Sequence, residues 1–186
     1  MLISFTGAQS SGKSTLLKMC RKDDHFSGWE FIPEVTRKIK DSGLPINEAG
    51  TDETQTLILA EHVKNHILPL GNVVLDRCIL DGYVYTKYLH IQGRVDKETL
   101  KHSEFLLKQL LPKVDYIFYT DPNIPLIDDG VRSINEDFRN DIIDLFDEAI
   151  IDNIRLIKNL VRLSGSPRER FNTIISKLFY DETYEE

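Results

Sequence analysis

Cysteine is nearly absent from this chain: Cys20 and Cys78 are the only two in 186 residues, and they stand in no C-x-x-C or metal-ligand spacing. That argues against a dithiol centre or a zinc site and for two idle thiols in a reducing compartment. A surplus of basic charge is also missing. Lys and Arg total 23 against 30 Asp and Glu, for a net charge of −7 and a pI near 5.3. Phosphate backbones are bound by dense Lys/Arg patches, so no direct nucleic-acid binding is expected, and any anionic ligand must be held locally. Long apolar runs do not occur. Val73-Val74-Leu75 and Tyr116-Ile117-Phe118-Tyr119 are strand-sized, far short of the ~20 residues that span a bilayer, and no membrane partner is expected. The opening Met1-Leu2-Ile3-Ser4-Phe5 lacks the basic start and long apolar stretch of a secretory signal, which points to the cytoplasm. Histidines 25, 62, 66, 90 and 102 match no ligand pattern. His62 and His66, four apart on an expected helix, read as surface or packing residues, because zinc there would need further ligands that the sequence does not nominate.

What remains is an ordinary globular composition, 41% hydrophobic and 28% charged, in a length that suits one domain spanning 1–186. Residues 2–6 read as a short buried strand, followed by a glycine-containing loop and a helix from Ser14 to Cys20. Trp29 to Val35 suggests a second strand that Pro33 ends or confines to an edge. Residues 52–69 have helical spacing, with Asp52 available as N-cap. Val73-Val74-Leu75 gives a third strand, about 114–119 a fourth after a helical pattern through Leu100 and Leu110, and Leu160 to Leu163 a last one. A long apolar stripe runs from Asn135 towards Leu160, and a final helix starts near Pro167. This alternation predicts an α/β fold, a five-stranded, mostly parallel sheet flanked by helices, with ligands beyond the C-terminal ends of the strands. The acidic end, residues 181–186, reads as a frayed tail.

Gly7-Ala8-Gln9-Ser10-Ser11-Gly12-Lys13-Ser14 fits G-x-x-x-x-G-K-[ST] at every fixed position, after a strand and before a helix. In such a loop, backbone N–H groups from Gly7 through Thr15 wrap a nucleoside triphosphate, Lys13 reaches the β- and γ-phosphates, and Ser14 ligates Mg²⁺. ATP and Mg²⁺ are the expected cofactors. The loop alone does not separate a kinase from a switch, a motor or a bare NTPase.

Asp76, at the end of the third strand, is placed to meet Mg²⁺ or an acceptor hydroxyl, and Arg77 follows it. A cap with a salt bridge would look the same from spacing alone. Glu34 and Arg37 share a first helical turn, where a carboxylate can take a hydroxyl proton and an arginine can hold a phosphate, though an exposed i,i+3 pair has the same spacing. Beyond the fourth strand, Arg132 and Arg139 suggest lid arginines, set against ordinary ion pairs on a solvated helix. The run from Tyr83 to Tyr88 reads as core, with a tyrosine such as Tyr85 near enough to Asp76 to stack on a base.

Together these residues resemble the small P-loop kinases of nucleosides and nucleoside monophosphates, especially the AAA-like ATPase/kinase group that includes ribosylnicotinamide kinase domains and many phage proteins. The matching pieces are Gly7 to Ser14, Pro33 to Arg37, Val74 to Arg77 with Tyr83 to Tyr88, Asp128 to Arg132 with Arg139, and Gly165 to Arg170. The resemblance implies a P-loop kinase fold with a lid at about 125–140. It also implies acceptor contacts from Glu34, Arg37, Arg77 and Tyr85, metal and acceptor contacts from Asp76 and Arg77, lid roles for Arg132 and Arg139, and an adenine border from Gly165, Ser166 and Arg168. The Asp76-Arg77 segment is similar to that of thymidylate kinases, which implies a deoxynucleoside monophosphate acceptor, canonical or modified. The lid arginines differ from that family in spacing. The size is similar to that of stand-alone phage kinases, which act in the host cytoplasm, and is compatible with a homodimer. A nucleoside or ribosylnicotinamide kinase is the alternative acceptor reading, and a regulatory P-loop ATPase without a small-molecule acceptor is the alternative from another class.

Overall fold

A computed structural model describes residues 1–122 and 135–180. Five strands, β1 (Leu2–Thr6), β2 (Glu30–Ile32), β3 (Val73–Asp76), β4 (Tyr116–Thr120) and β5 (Leu160–Leu163), form one parallel sheet in the order β2-β3-β1-β4-β5. Pro33 follows β2 directly, so that edge strand is shorter than the Trp29–Val35 segment suggested, as expected where a ladder donor is missing.

Strand alternation sends Ile3, Phe5, Val74 and Phe118 to one face, where they pack on α1 (Lys13–Cys20) and α7 (Pro167–Ile175). Val73, Leu75, Ile117 and Tyr119 line the other face, beneath α3 (Asp52–Ile67), α4 (Ile79–Ile91), α5 (Lys97–Leu110) and α6 (Glu136–Asp152). Helix α2 (Val35–Asp41) leans on α3 through Val35, Ile39 and Ile58. Because both faces are covered, the central strands are buried along most of their length, and their polar members Ser4, Thr6 and Thr120 are buried too.

The helix ends follow local chemistry. Thr51, in extended backbone, caps α3 through a reciprocal pair with Thr54, so Asp52 is the first helical residue instead of the cap. The stripe after Asn135 breaks at Asn153, whose Nδ2 donates to Ala149 O, and a short 3₁₀ turn replaces the last part of the expected helix. Ser166 and Glu169 form the capping box that starts α7. The tail 181–186, and with it Arg132 and most of the expected lid at 125–140, lies outside the described residues. Cys20 and Cys78 are both buried and free, and burial pushes each thiol up to about 12.

Candidate active site

The order β3-β1-β4 makes β1 the point from which neighbouring connections leave in opposite directions, and its C-terminal end opens there into the loop Gly7–Gly12. Gly7 has φ +130°, and a Cβ on it would stand 3.0 Å from both Thr120 O and Thr120 Oγ1 at the end of β4. Ser11 Oγ donates to Ala8 O (2.9 Å) and lies 2.5 Å from Thr120 Oγ1. Gly12, at φ +90°, occupies the N-cap of α1 and has no side chain to cap it. The start of α1 thus presents backbone donors and the positive end of the helix dipole.

Lys13 is 3% exposed and folds back into the loop, donating from Nζ to Gly7 O (2.8 Å), Ala8 O (2.7 Å) and Ser11 Oγ (3.1 Å). Burial, and next the charge of Arg77, lower its ammonium to about 7. Ser14 is half-buried and Thr15 exposed in the first turn of α1. On the other side of the loop, Arg170 of α7 donates from Nη1 to Ser11 O and from Nε to Gly165 O, both at 2.9 Å. This brings the Gly165–Ser166 turn beside the P-loop, with Arg168 exposed on its outer side.

Across from the loop, Arg77 is buried at the end of β3 with a left-handed backbone (φ +76°). Its Nε donates to Glu34 Oε1 (2.6 Å), and its Nη1 to Asp81 Oδ1 (2.9 Å) and Gly7 O (3.1 Å), with the guanidinium 5.4 Å from the centre of the Tyr85 ring. Burial opposes its charge, but Tyr85, Glu34 and Asp81 outweigh burial and hold the guanidinium protonated. Asp81 also accepts from Thr6 Oγ1 and from Cys78 N, which fastens α4 to β1. Glu34 stands at the N-cap of α2 without capping it and reaches Arg77, and Arg37 Nε approaches Glu34 Oε2 at 3.4 Å.

Asp76 accepts no hydrogen bond from a described residue. Burial, then the Glu34 charge, raise its carboxyl to about 6 against the pull of Arg77 and Lys13. Arg139, on α6, donates from Nη2 to Pro122 O at 2.8 Å.

Between these groups lies a narrow cleft of about 40 Å³ walled by Gln9, Glu34, Gln55, His62, Arg77 and Tyr85, among others. The fold thus gathers Glu34, Arg77 and Tyr85 around one space, with Arg37 linked to it through Glu34. Asp81, Gln55 and His62 were not singled out from the sequence as site residues. Asp81 carried only the signal of a carboxylate four residues after Arg77. Gln55 and His62 carried only that of polar residues on the buried face of α3. His62 and His66 are both buried rather than on the surface, and His66 is held in place by packing and hydrogen bonds: its Nδ1 pairs with His62 O, and its Nε2 accepts from Ile79 N.

The donor set fits a magnesium nucleoside triphosphate. The uncapped start of α1 faces outward from the loop, and Ser14 and the unbonded carboxylate of Asp76 are hard oxygen donors. Among the described residues no three His, Cys, Asp or Glu side chains form a ready-made cage, which suits an ion that keeps waters and shares its ligands with phosphates.

Fold and loop together define a P-loop protein with the architecture of small kinases. The profile of the AAA domain family matches residues 2–170, and the chain belongs to that family. Among solved structures it is similar to deoxyadenosine kinase from M. mycoides with the products dCMP and dCDP (TM-score 0.71, 18% identity, 96% of this chain and 98% of that one). It is also similar to NadR protein in complex with NR (TM-score 0.68, 17% identity, 95% of this chain and 50% of that one) and to NadR with NAD and AMP-PNP (TM-score 0.69, 16% identity, 95% and 48%). The chain therefore spans about half the length of the NadR chains. No curated protein matches it. Among the described residues no helix is long and apolar enough to cross a membrane.

Proposed function

We propose that the protein transfers the γ-phosphoryl group of ATP to a hydroxyl of a small nucleoside-type acceptor, in the cytoplasm. The observation that carries this reading is the placement of a buried carboxylate, Glu34, on a cleft that shares a wall with the P-loop through Gln9 and Arg77. In this scheme the acceptor oxygen bonds the γ-phosphorus as the bond to the β–γ bridging oxygen breaks, ADP leaves, and the hydroxyl proton passes to Glu34. Arg77 orients Glu34, and Lys13 moves from the loop carbonyls to the phosphates. Ser14 and Asp76 would hold Mg²⁺, which supplies charge neutralisation at the phosphates when bound. Gly165 and Ser166 would border the adenine, and Arg139 would act from the lid side.

The geometry favours an unphosphorylated acceptor. The guanidinium expected to hold an acceptor phosphate, Arg77, is already bonded to two carboxylates and a carbonyl. A dianion entering beside Glu34 and Asp81 would meet like charge. A deoxynucleoside monophosphate is the second reading, favoured by Arg37, whose side chain stays 42% exposed while it approaches Glu34. Among the relatives, deoxyadenosine kinase, whose products include dCMP, and NadR with NR suit the first reading.

The test is Mg·ATP-dependent ADP formation against separate panels of nucleosides, nicotinamide riboside and nucleoside monophosphates, with Lys13→Ala as control. Nucleoside-stimulated ADP formation that falls by roughly a hundredfold or more in Lys13→Ala supports the reading. Stimulation by monophosphates alone selects the second, and slow hydrolysis that no acceptor stimulates leaves a regulatory ATPase.

A further inference from the structure

We infer that Gln9 and His62 read the polar edge of the acceptor's heterocyclic ring and so determine base specificity. The inference rests on the reading of the cleft as the acceptor site. Each of these side chains is 3% exposed and lines that cleft, and each keeps one polar atom, Gln9 Nε2 and His62 Nδ1, without a hydrogen-bond partner among the described residues. Buried polar atoms are nearly always paired, so two orphans in one cleft need a reason. A ligand that supplies the missing partners is one.

The surroundings hold both groups towards the same helical face. Gln9 belongs to the P-loop, yet its side chain crosses to α4, where Tyr85 OH donates to Oε1 at 3.1 Å and leaves the amide donor as the spare group. His62 comes from α3 and lies against Gly82, where a Cβ would stand 2.9 Å from imidazole Cδ2. The absence of a side chain at Gly82 therefore makes room for the ring. Gly82 and Tyr85 are three residues apart on α4, on one face. Burial, then His66 and Arg77, lower His62 to about 3, so its ring is neutral and offers one donor and one acceptor nitrogen. An uncharged planar heterocycle bearing a carbonyl or ring nitrogen meets such a pair, with the Tyr85 ring beside it.

The experiment uses the full chain and its best nucleoside, followed by analogues of that nucleoside that each lack one base carbonyl, amino group or ring nitrogen. In the wild type, at least one deletion is expected to lower kcat/KM by about tenfold or more, because a buried partner is left unpaired. In Gln9→Leu and His62→Leu that discrimination should collapse to within about threefold, and in His62→Leu, on α3 outside the P-loop, KM for ATP should move by less than about threefold. Retained discrimination in either variant, or in His62→Leu an ATP KM that rises as much as the acceptor KM, overturns the inference. If either variant fails to fold, wild-type protein with ¹⁵N-labelled histidine carries the test. Saturation with the nucleoside shifts the His62 Nδ1 resonance if it meets the acceptor, and an unchanged resonance overturns the proposal. Absence of stimulation by any acceptor would instead defeat the kinase reading itself.

Discussion

Asp76 is a side chain that the fold holds at an electrostatic disadvantage. Its carboxyl, raised to about 6, binds a proton more readily folded than unfolded, where it titrates near the ordinary value of about 3.9. The group's contribution to stability is therefore fully present below about pH 4 and is lost as pH rises through about 6. At pH 7.5 the buried charge is a liability unless a cation meets it. Asp76→Asn should accordingly raise stability at pH 7.5 by about 1–3 kcal/mol, leave it little changed at pH 4, and abolish Mg²⁺-dependent turnover. Denaturant melts at the two pH values, with and without Mg·ATP, check this. A variant less stable than wild type at pH 7.5 would show that Asp76 holds the fold instead. Asp76 was legible because it ends an apolar strand in a P-loop chain. Asp81 was not singled out, because nothing in the sequence says that Thr6, Cys78 N and Arg77 meet at one carboxylate. The place of Arg77 after a strand is legible in the sequence and its bonding is not: an arginine there looks like a ligand group until the carboxylates that surround it are known.

At the scale of elements, the P-loop and α4 are opposite cases. The loop carries its geometry in its glycines, and Gly7 has two separate reasons to be glycine, a positive φ and contact with Thr120. Gly7→Ala should cost about 2 kcal/mol or more in a denaturant melt, and should weaken ATP binding measured by calorimetry, because the added Cβ meets a backbone carbonyl that has little room to retreat. Unaltered stability would mean that the β4 end gives way easily. Helix α4, by contrast, was invisible as a helix. Its residues from Ile79 to Leu89 are buried on nearly every side, among α3, α5 and α6, so no polar face marks the 3.6-residue period. The tyrosine run within it could be assigned to core but not to an element. The strands were easier for the same reason in reverse, since a short continuous apolar run bounded by turn residues is what a doubly covered parallel strand requires.

For the whole molecule, the site depends on contacts that sequence order hides. Arg77 reaches Gly7 across 70 residues, and Arg170 reaches Ser11 across 159. The alternation of strands and helices predicts which ends of the strands face the ligands. Which loop meets which follows only from the strand order β2-β3-β1-β4-β5. Arg170 tests whether this long-range closure serves the donor half alone. It is buried on α7, joins the loop after β5 to the P-loop, and lies on the far side of the loop from the cleft residues. Removing it in Arg170→Met leaves the Ser11 and Gly165 carbonyls without a charged donor, a loss of about 1.5–3 kcal/mol per such bond at most, and less where water enters. Because the lost bond anchors the phosphate-binding loop and touches no cleft residue, KM for ATP should rise by about fivefold or more while the acceptor KM stays within about twofold. Initial rates varied in both substrates, with a thermal melt to separate stability from binding, measure this directly. Equal changes in both constants would mean that the two halves of the site move as one body, and that the P-loop position is transmitted to the cleft through Gln9 and Arg77.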